Sequence, residues 1–132
     1  MSTLASAPVE LSREDLLELH RQQIEQFGGQ HGVRDWSALD RVIAYVAAAR
    51  NPIDQATLLL TEISAGSPFY DGNKRCAAHA ALVALLMNGR KPNCSPEQIV
   101  ILLHALDMRE IDYAGVTEFF AAHCDPAPSG IR

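Results

Sequence analysis

Nine consecutive residues, Ser67-Pro68-Phe69-Tyr70-Asp71-Gly72-Asn73-Lys74-Arg75, concentrate the side chains best suited to chemistry. Gly, Pro, Asp and Gly within residues 66–72 require a loop. The Ala/Leu-rich run behind it predicts a helix over 73–87, so Lys74 and Arg75 fall in a first helical turn. The leading amides of a helix lack intrahelical partners and lie at the positive end of its macrodipole, which favours an anion. Gly72 lets backbone approach a ligand with no Cβ in the way. Asn73, Lys74 and Arg75 add donors and two positive charges suited to phosphate oxygens. Asp71 offers one hard carboxylate, the usual protein contribution to a Mg²⁺ that keeps water and phosphate as its other ligands. Phe69 reads as the apolar pin that fixes the loop to the core. Together these are the parts of a nucleotide-triphosphate site, in which positioning and electrostatics carry most of the catalysis. The same residues also fit a plainer description: a helix start with an aspartate, a glycine turn and two solvated cations.

The elements that must position this loop are helical. Ser12-Arg13-Glu14-Asp15 resembles a capping box, and Leu16, Leu17, His20, Ile24 and Phe27 form one apolar stripe that Gly28-Gly29 ends. Asp35 is placed to cap a second helix carrying Trp36, Leu39, Ile43 and Val46, which must end before Pro52. Asp54 is expected to cap a third, through Leu58, Leu59 and Ile63 to about residue 65. The 73–87 helix is apolar around most of its circumference from Cys76 onward, which marks it as central and buried. Asn88-Gly89 ends it, and Lys91–Cys94 reads as a short extended link. Ser95-Pro96-Glu97-Gln98 opens a fifth helix to about Met108, and Asp112 a last one with Val116, Phe119 and Phe120. No run alternates long enough to demand a strand. The expected class is all-α: five or six helices around a central helix at about 73–87. Residues 1–10 read as a flexible lead, 11–124 as one domain and 125–132 as a flexible tail.

At 132 residues the chain is of single-domain length, and 48% hydrophobic with 20% charged is ordinary globular usage. Eleven Lys and Arg against sixteen Asp and Glu leave a net charge of −5, a poor basis for direct DNA binding through bulk charge. Cys76, Cys94 and Cys124 follow no metal-ligand spacing, and their odd number favours free thiols in a reducing compartment. No apolar run reaches the ~18 residues of a membrane-spanning helix. A cytoplasmic chain with no membrane role is the expectation.

Ser-Pro-Phe-Tyr-Asp-Gly-Asn-Lys-Arg resembles the signature of the Fic/Doc (Fido) superfamily, His-x-Phe-x-(Asp/Asn/Glu)-(Ala/Gly)-Asn-(Gly/Lys)-Arg. Lys74 is similar to the death-on-curing, or Doc, branch. Leu11-Ser12 through Leu19-His20, Phe27-Gly28-Gly29, Gly32-Val33-Arg34-Asp35 and Asn88-Gly89 extend the likeness over about residues 11–123. The resemblance implies an all-α Fido fold and a toxin of a type II toxin–antitoxin pair. It implies a kinase that uses ATP and Mg²⁺ to phosphorylate a threonine of elongation factor Tu and so blocks translation. Its partner would be a small antitoxin with a helical or disordered C-terminal segment. On this likeness Asp71 serves the metal, while Gly72, Asn73, Lys74 and Arg75 hold the nucleotide, Lys74 and Arg75 also acting in catalysis. Fic-type AMP transferases carry Gly where Lys74 stands and a second Arg where this chain has Ala78, and both departures point to the kinase.

The family's motif opens with a His that takes the proton from the target hydroxyl; this chain has Ser67. A serine hydroxyl is a very weak base near neutral pH, and loss of a positioned base costs about 10²–10⁴-fold in rate. The resemblance thus implies a kinase inactive or severely weakened, or a catalytically silent Fido domain that acts by binding. Ser67 stands either as an inactivating replacement or as natural divergence. Among the other candidates, His79, His20 and His104 read as packing histidines, and His31 and His123 have no ligand-spaced partners. Tyr70 reads as an exposed loop residue. Cys76 sits where dipole and Arg75 could activate it, but reads as a small packing residue.

Overall fold

The computed structural model describes residues 8–125. Among the described residues six helices form, and five of them begin at a side chain that takes over an unpaired amide: Ser12 for α1 (Arg13–Phe27), Asp35 for α2 (Trp36–Ala47), Asn51 for α3 (Pro52–Gly66), Ser95 for α5 (Pro96–Asp107) and Asp112 for α6 (Tyr113–Ala122). α4 (Asn73–Met87) is the exception, entered through Gly72 with no side-chain cap. Asn51, not Asp54, caps α3: proline accepts the first helical position, so the helix starts three residues earlier than Asp54 would allow. Asp54 lies inside the first turn, where its amide donates to Asn51 Oδ1 and its carboxylate accepts from Tyr113 Oη at 2.5 Å.

α4 is central, with α1, α3 and α5 packed on it. Cys76, Ala77, Ala78, Ala80, Ala81 and Ala84 are all fully buried, so the small side chains of α4 let α3 approach with Leu59, Leu60 and Ile63. α2 and α6 pack in turn on α3. The all-α class holds, with one small addition. β1 (Lys91–Pro92) pairs antiparallel with β2 (Cys124–Asp125), in the register Lys91 to Asp125 and Pro92 to Cys124. Two residues per strand are too few to leave an alternating pattern.

The described part of the expected flexible lead is tied down. Val9 exchanges hydrogen bonds with the Asn88 side chain at 2.7 and 3.0 Å, and its carbonyl also accepts from Gln55. Asp125, assigned to the tail, is in β2. Residues 1–7 and 126–132, the rest of those two segments, lie outside the described residues. Among the described residues, no helix is long and apolar enough to cross a membrane.

Two stripe positions come out exposed, Phe27 at 47% and Trp36 at 54%. Each carries an arginine instead: Arg75 lies 4.0 Å from the Phe27 ring centroid and Arg13 lies 5.9 Å from that of Trp36. His104, expected to pack, is exposed on α5.

Candidate functional site

The connection from α3 to α4 turns twice through left-handed backbone. Ser67 closes α3 at φ 45°, ψ 59°, and Gly72 opens α4 at φ 77°, ψ 19°. A non-glycine residue at positive φ is strained and persists only where its surroundings hold it. Here Arg34 Nη2 donates to the Ser67 carbonyl at 2.6 Å, and Ser67 Oγ donates to Ser64 O at 3.3 Å.

Between these turns the loop is bound to the core and to the segment after α1. Phe69 is 1% exposed, as its role of pin required, and its ring stacks on His20 with centroids 3.8 Å apart. His20, itself buried, pairs through Nε2 with the Asp71 carbonyl at 2.8 Å. Burial pushes its pKa below the ordinary 6.5, against an upward pull from that hydrogen bond. Neutral His20 with its proton on Nε2 is therefore the form that ties α1 to the loop. Residues 29–35 run alongside. Val33 bridges Phe69, the amides of Arg34 and Asp35 donate to the Pro68 carbonyl, and the Tyr70 amide donates to Gly32 O.

Asp71 accepts a 2.7 Å hydrogen bond from the Gln30 amide on Oδ2, and its Oδ1 has no protein partner among the described residues. Gly29 makes that approach possible: a Cβ there would lie 3.0 Å from Asp71 Cβ. Asn73 was expected to offer its side chain to phosphate. Instead Oδ1 accepts from the Phe69 amide at 3.0 Å and Nδ2 donates to the Phe69 carbonyl at 2.9 Å. The amide group closes the loop on itself.

Lys74 Nζ donates to Ser64 Oγ at 3.2 Å and to the Asp107 carboxylate of α5. Arg75 spreads its guanidinium over Phe27, an arrangement that uses the face of the group and leaves its edge donors. Ser67, Tyr70, Asp71, Gly72, Asn73, Lys74 and Arg75 all line one open cleft of about 470 Å³, together with Ser64 and Val100. Every candidate site residue read from the sequence thus meets on a single surface. Tyr70, at 48% exposure, is the solvent-facing loop residue expected.

The remaining candidates do not join the cleft. Cys76 is fully buried, and burial alone pushes its thiol up to about 12, so it packs. His79 Nδ1 pairs with the Arg75 carbonyl one turn back at 3.0 Å. His31 pairs with Glu25 at 2.9 Å, and His123 stacks on Phe119. Among the described residues no group of three or more His, Cys, Asp or Glu is gathered to hold a metal.

Sequence reasoning missed His20, Gln30 and Arg34 as supports of the loop, and Ser64 and Asp107 as partners of Lys74. The glycines at 28, 29 and 32 were a visible sign that this turn approaches something closely. Nothing local marks Asp107, thirty-three residues from Lys74.

An uncapped helix start beneath a glycine turn, with a lysine and an arginine in its first turn and an aspartate beside it, has the chemistry to accept an anion. The chain belongs to the Fic/DOC family, whose family model matches residues 10–85, and within it to the Doc branch. It is similar to protein kinase doc of Escherichia phage P1: 36% identical over 95 residues, covering 66% of this chain and 74% of that protein.

Proposed function

We propose that this protein is a Doc-like toxin kinase whose phosphoryl transfer is disabled, or nearly so, at Ser67. The observation that carries the reading is the start of α4. It is the one helix start without a side-chain cap among the described residues, and it faces the cleft that gathers the motif. Free leading amides with Lys74 and Arg75 beside them fit the oxygens of a nucleoside triphosphate. A lone carboxylate with one unpartnered oxygen, Asp71, fits a Mg²⁺ that takes its other ligands from water and phosphate. When bound, MgATP supplies the phosphoryl group and the metal charge that offsets negative charge on it.

The chain's own residues then divide the labour. The α4 amides, Lys74 and Arg75 orient phosphate, Asp71 holds the metal, and Phe69, His20 and Asn73 keep the loop in place. Ser67 occupies the position of the family's base, and its hydroxyl donates into the α3 terminus at Ser64 O. A serine hydroxyl is a very weak base near neutral pH and is a poor acceptor for the proton of an incoming alcohol. That contact also favours a second reading, a silent domain that retains nucleotide or protein binding. AMP transfer is disfavoured, because the place of the second family arginine is taken by Ala78, fully buried in the core.

The protein substrate under this reading is a threonine of elongation factor Tu, and the regulator is a cognate antitoxin. A groove of about 280 Å³ between α1 and α4, with Leu11, Leu19, Val83 and Met87 under Asp15 and Glu18, suits an amphipathic segment of basic character. Hydrogen bonds from Arg21, then Gln22, hold the Glu18 carboxyl well below its usual range, and Arg21 is its ion-pair partner.

Restoring the base tests the assignment. Ser67→His is expected to raise transfer of label from γ-labelled ATP to elongation factor Tu by about 10²–10⁴-fold and to arrest growth in cells lacking antitoxin. A harmless Ser67→His protein that transfers no label would defeat the toxin reading.

A further inference from the structure

Two charges stand at the unfavourable ends of their helices. Lys74 is in the first turn of α4, at its positive pole, and Asp107 is the last residue of α5, at its negative pole. Helix stability explains neither placement. Tertiary structure joins them, since the Lys74 ammonium donates to the Asp107 carboxylate and to Ser64 Oγ. Lys74 and Ser64 both line the cleft, as does Val100, two turns before Asp107 on α5. One of the two cations in the first turn of α4 is therefore already held by a carboxylate, an oxygen anion of the kind a phosphate presents. Asp107 lies outside residues 10–85, so the contact joins the matched motif region to a partner on the C-terminal helices.

We propose that Asp107 is an affinity-setting residue of the cleft: an internal competitor that occupies Lys74 and has to be displaced by an entering polyphosphate. The pair is suited to opening. Its side chains are 38% and 47% exposed, and an exposed pair of this kind is worth at most about fivefold in an equilibrium constant. A ligand with several phosphate charges outbids a single carboxylate, while the same carboxylate weakens every anion that enters. Ser64 Oγ stays as the second acceptor and keeps the ammonium at the cleft when Asp107 lets go.

The proposal rests on reading the cleft as a nucleotide site, so its test uses two probes on the full chain: inorganic tripolyphosphate, which has no base or sugar, and ATP. Calorimetry on Asp107→Asn is expected to show tripolyphosphate and ATP bound about three- to fivefold more tightly than by the unaltered chain at low salt. The gain disappears in a Lys74→Met background. Acetylation of Lys74 by an amine-reactive ester, read by peptide mass spectrometry, is expected to speed up severalfold in Asp107→Asn with no anion present. Equal or weaker tripolyphosphate binding, or unchanged acetylation, overturns the competition. Tripolyphosphate bound more tightly by Asp107→Asn with no ATP bound by either chain overturns the nucleotide reading and leaves the competition standing. No binding of either probe by either chain overturns both.

Discussion

The starts of α4 and α5 show two ways of treating the same unpaired amides. At α5, Ser95 Oγ accepts from the Gln98 amide at 3.1 Å and Gln98 Oε1 accepts in turn from the Ser95 amide at 2.7 Å, with Pro96 and Glu97 completing a sequence made for helix stability. At α4, Gly72 contributes no cap, and a lysine and an arginine stand at the positive pole. What α4 lacks locally is supplied from a distance. His20 of α1, Gln30 and Arg34 of the neighbouring turn, and Asp107 of α5 all reach the loop or its first helical turn. The lesson is that one helix start satisfies its own amides, while the other is held by its surroundings so that its amides stay available.

Three substitutions or conditions should separate the two. The largest effect belongs to Phe69→Ala, which removes the buried pin; urea denaturation should show a loss of about 3–5 kcal/mol, with nucleotide binding lost as well. Ser95→Ala should cost about 1 kcal/mol by the same measurement and leave nucleotide affinity unchanged, because that cap serves only its helix. The smallest effect is one of pH. His20 has a folded-state pKa below its ordinary 6.5, so the unfolded chain binds the proton more readily. Its contribution is full above pH 6.5 and is lost as pH falls through the folded pKa. Thermal melts between pH 7 and 5 should fall less steeply in His20→Gln, which keeps a donor for Asp71 but cannot titrate. An identical slope in both proteins would detach His20 from the loop's behaviour.

Much of this was legible in the residues. Ser12, Asp35, Ser95 and Asp112 announced their helices because a cap is a local event, and the apolar run after Asn73 marked the central helix because burial on all sides leaves no polar face. The loop motif placed the cleft. Asp54 misled because Asn51-Pro52 is an equally good start and proline fixes it there. Phe27 and Trp36 misled because an apolar periodicity does not distinguish core from a platform for arginine. Asn73 showed only its donor type: the sequence does not reveal that its side-chain amide bonds the Phe69 backbone. Asp107 and Arg34 were out of reach, since their roles come from packing α5 and the 29–35 turn against the loop, and no spacing encodes that.

Calorimetric titration of the unaltered chain with MgATP, beside Arg75→Ala, tests the central claim most directly. The account predicts saturable one-to-one binding by the unaltered chain despite Ser67, and binding at least about tenfold weaker once the guanidinium is removed, as befits loss of a charge-assisted contact. No MgATP binding by the unaltered chain, or equal binding by Arg75→Ala, would contradict it.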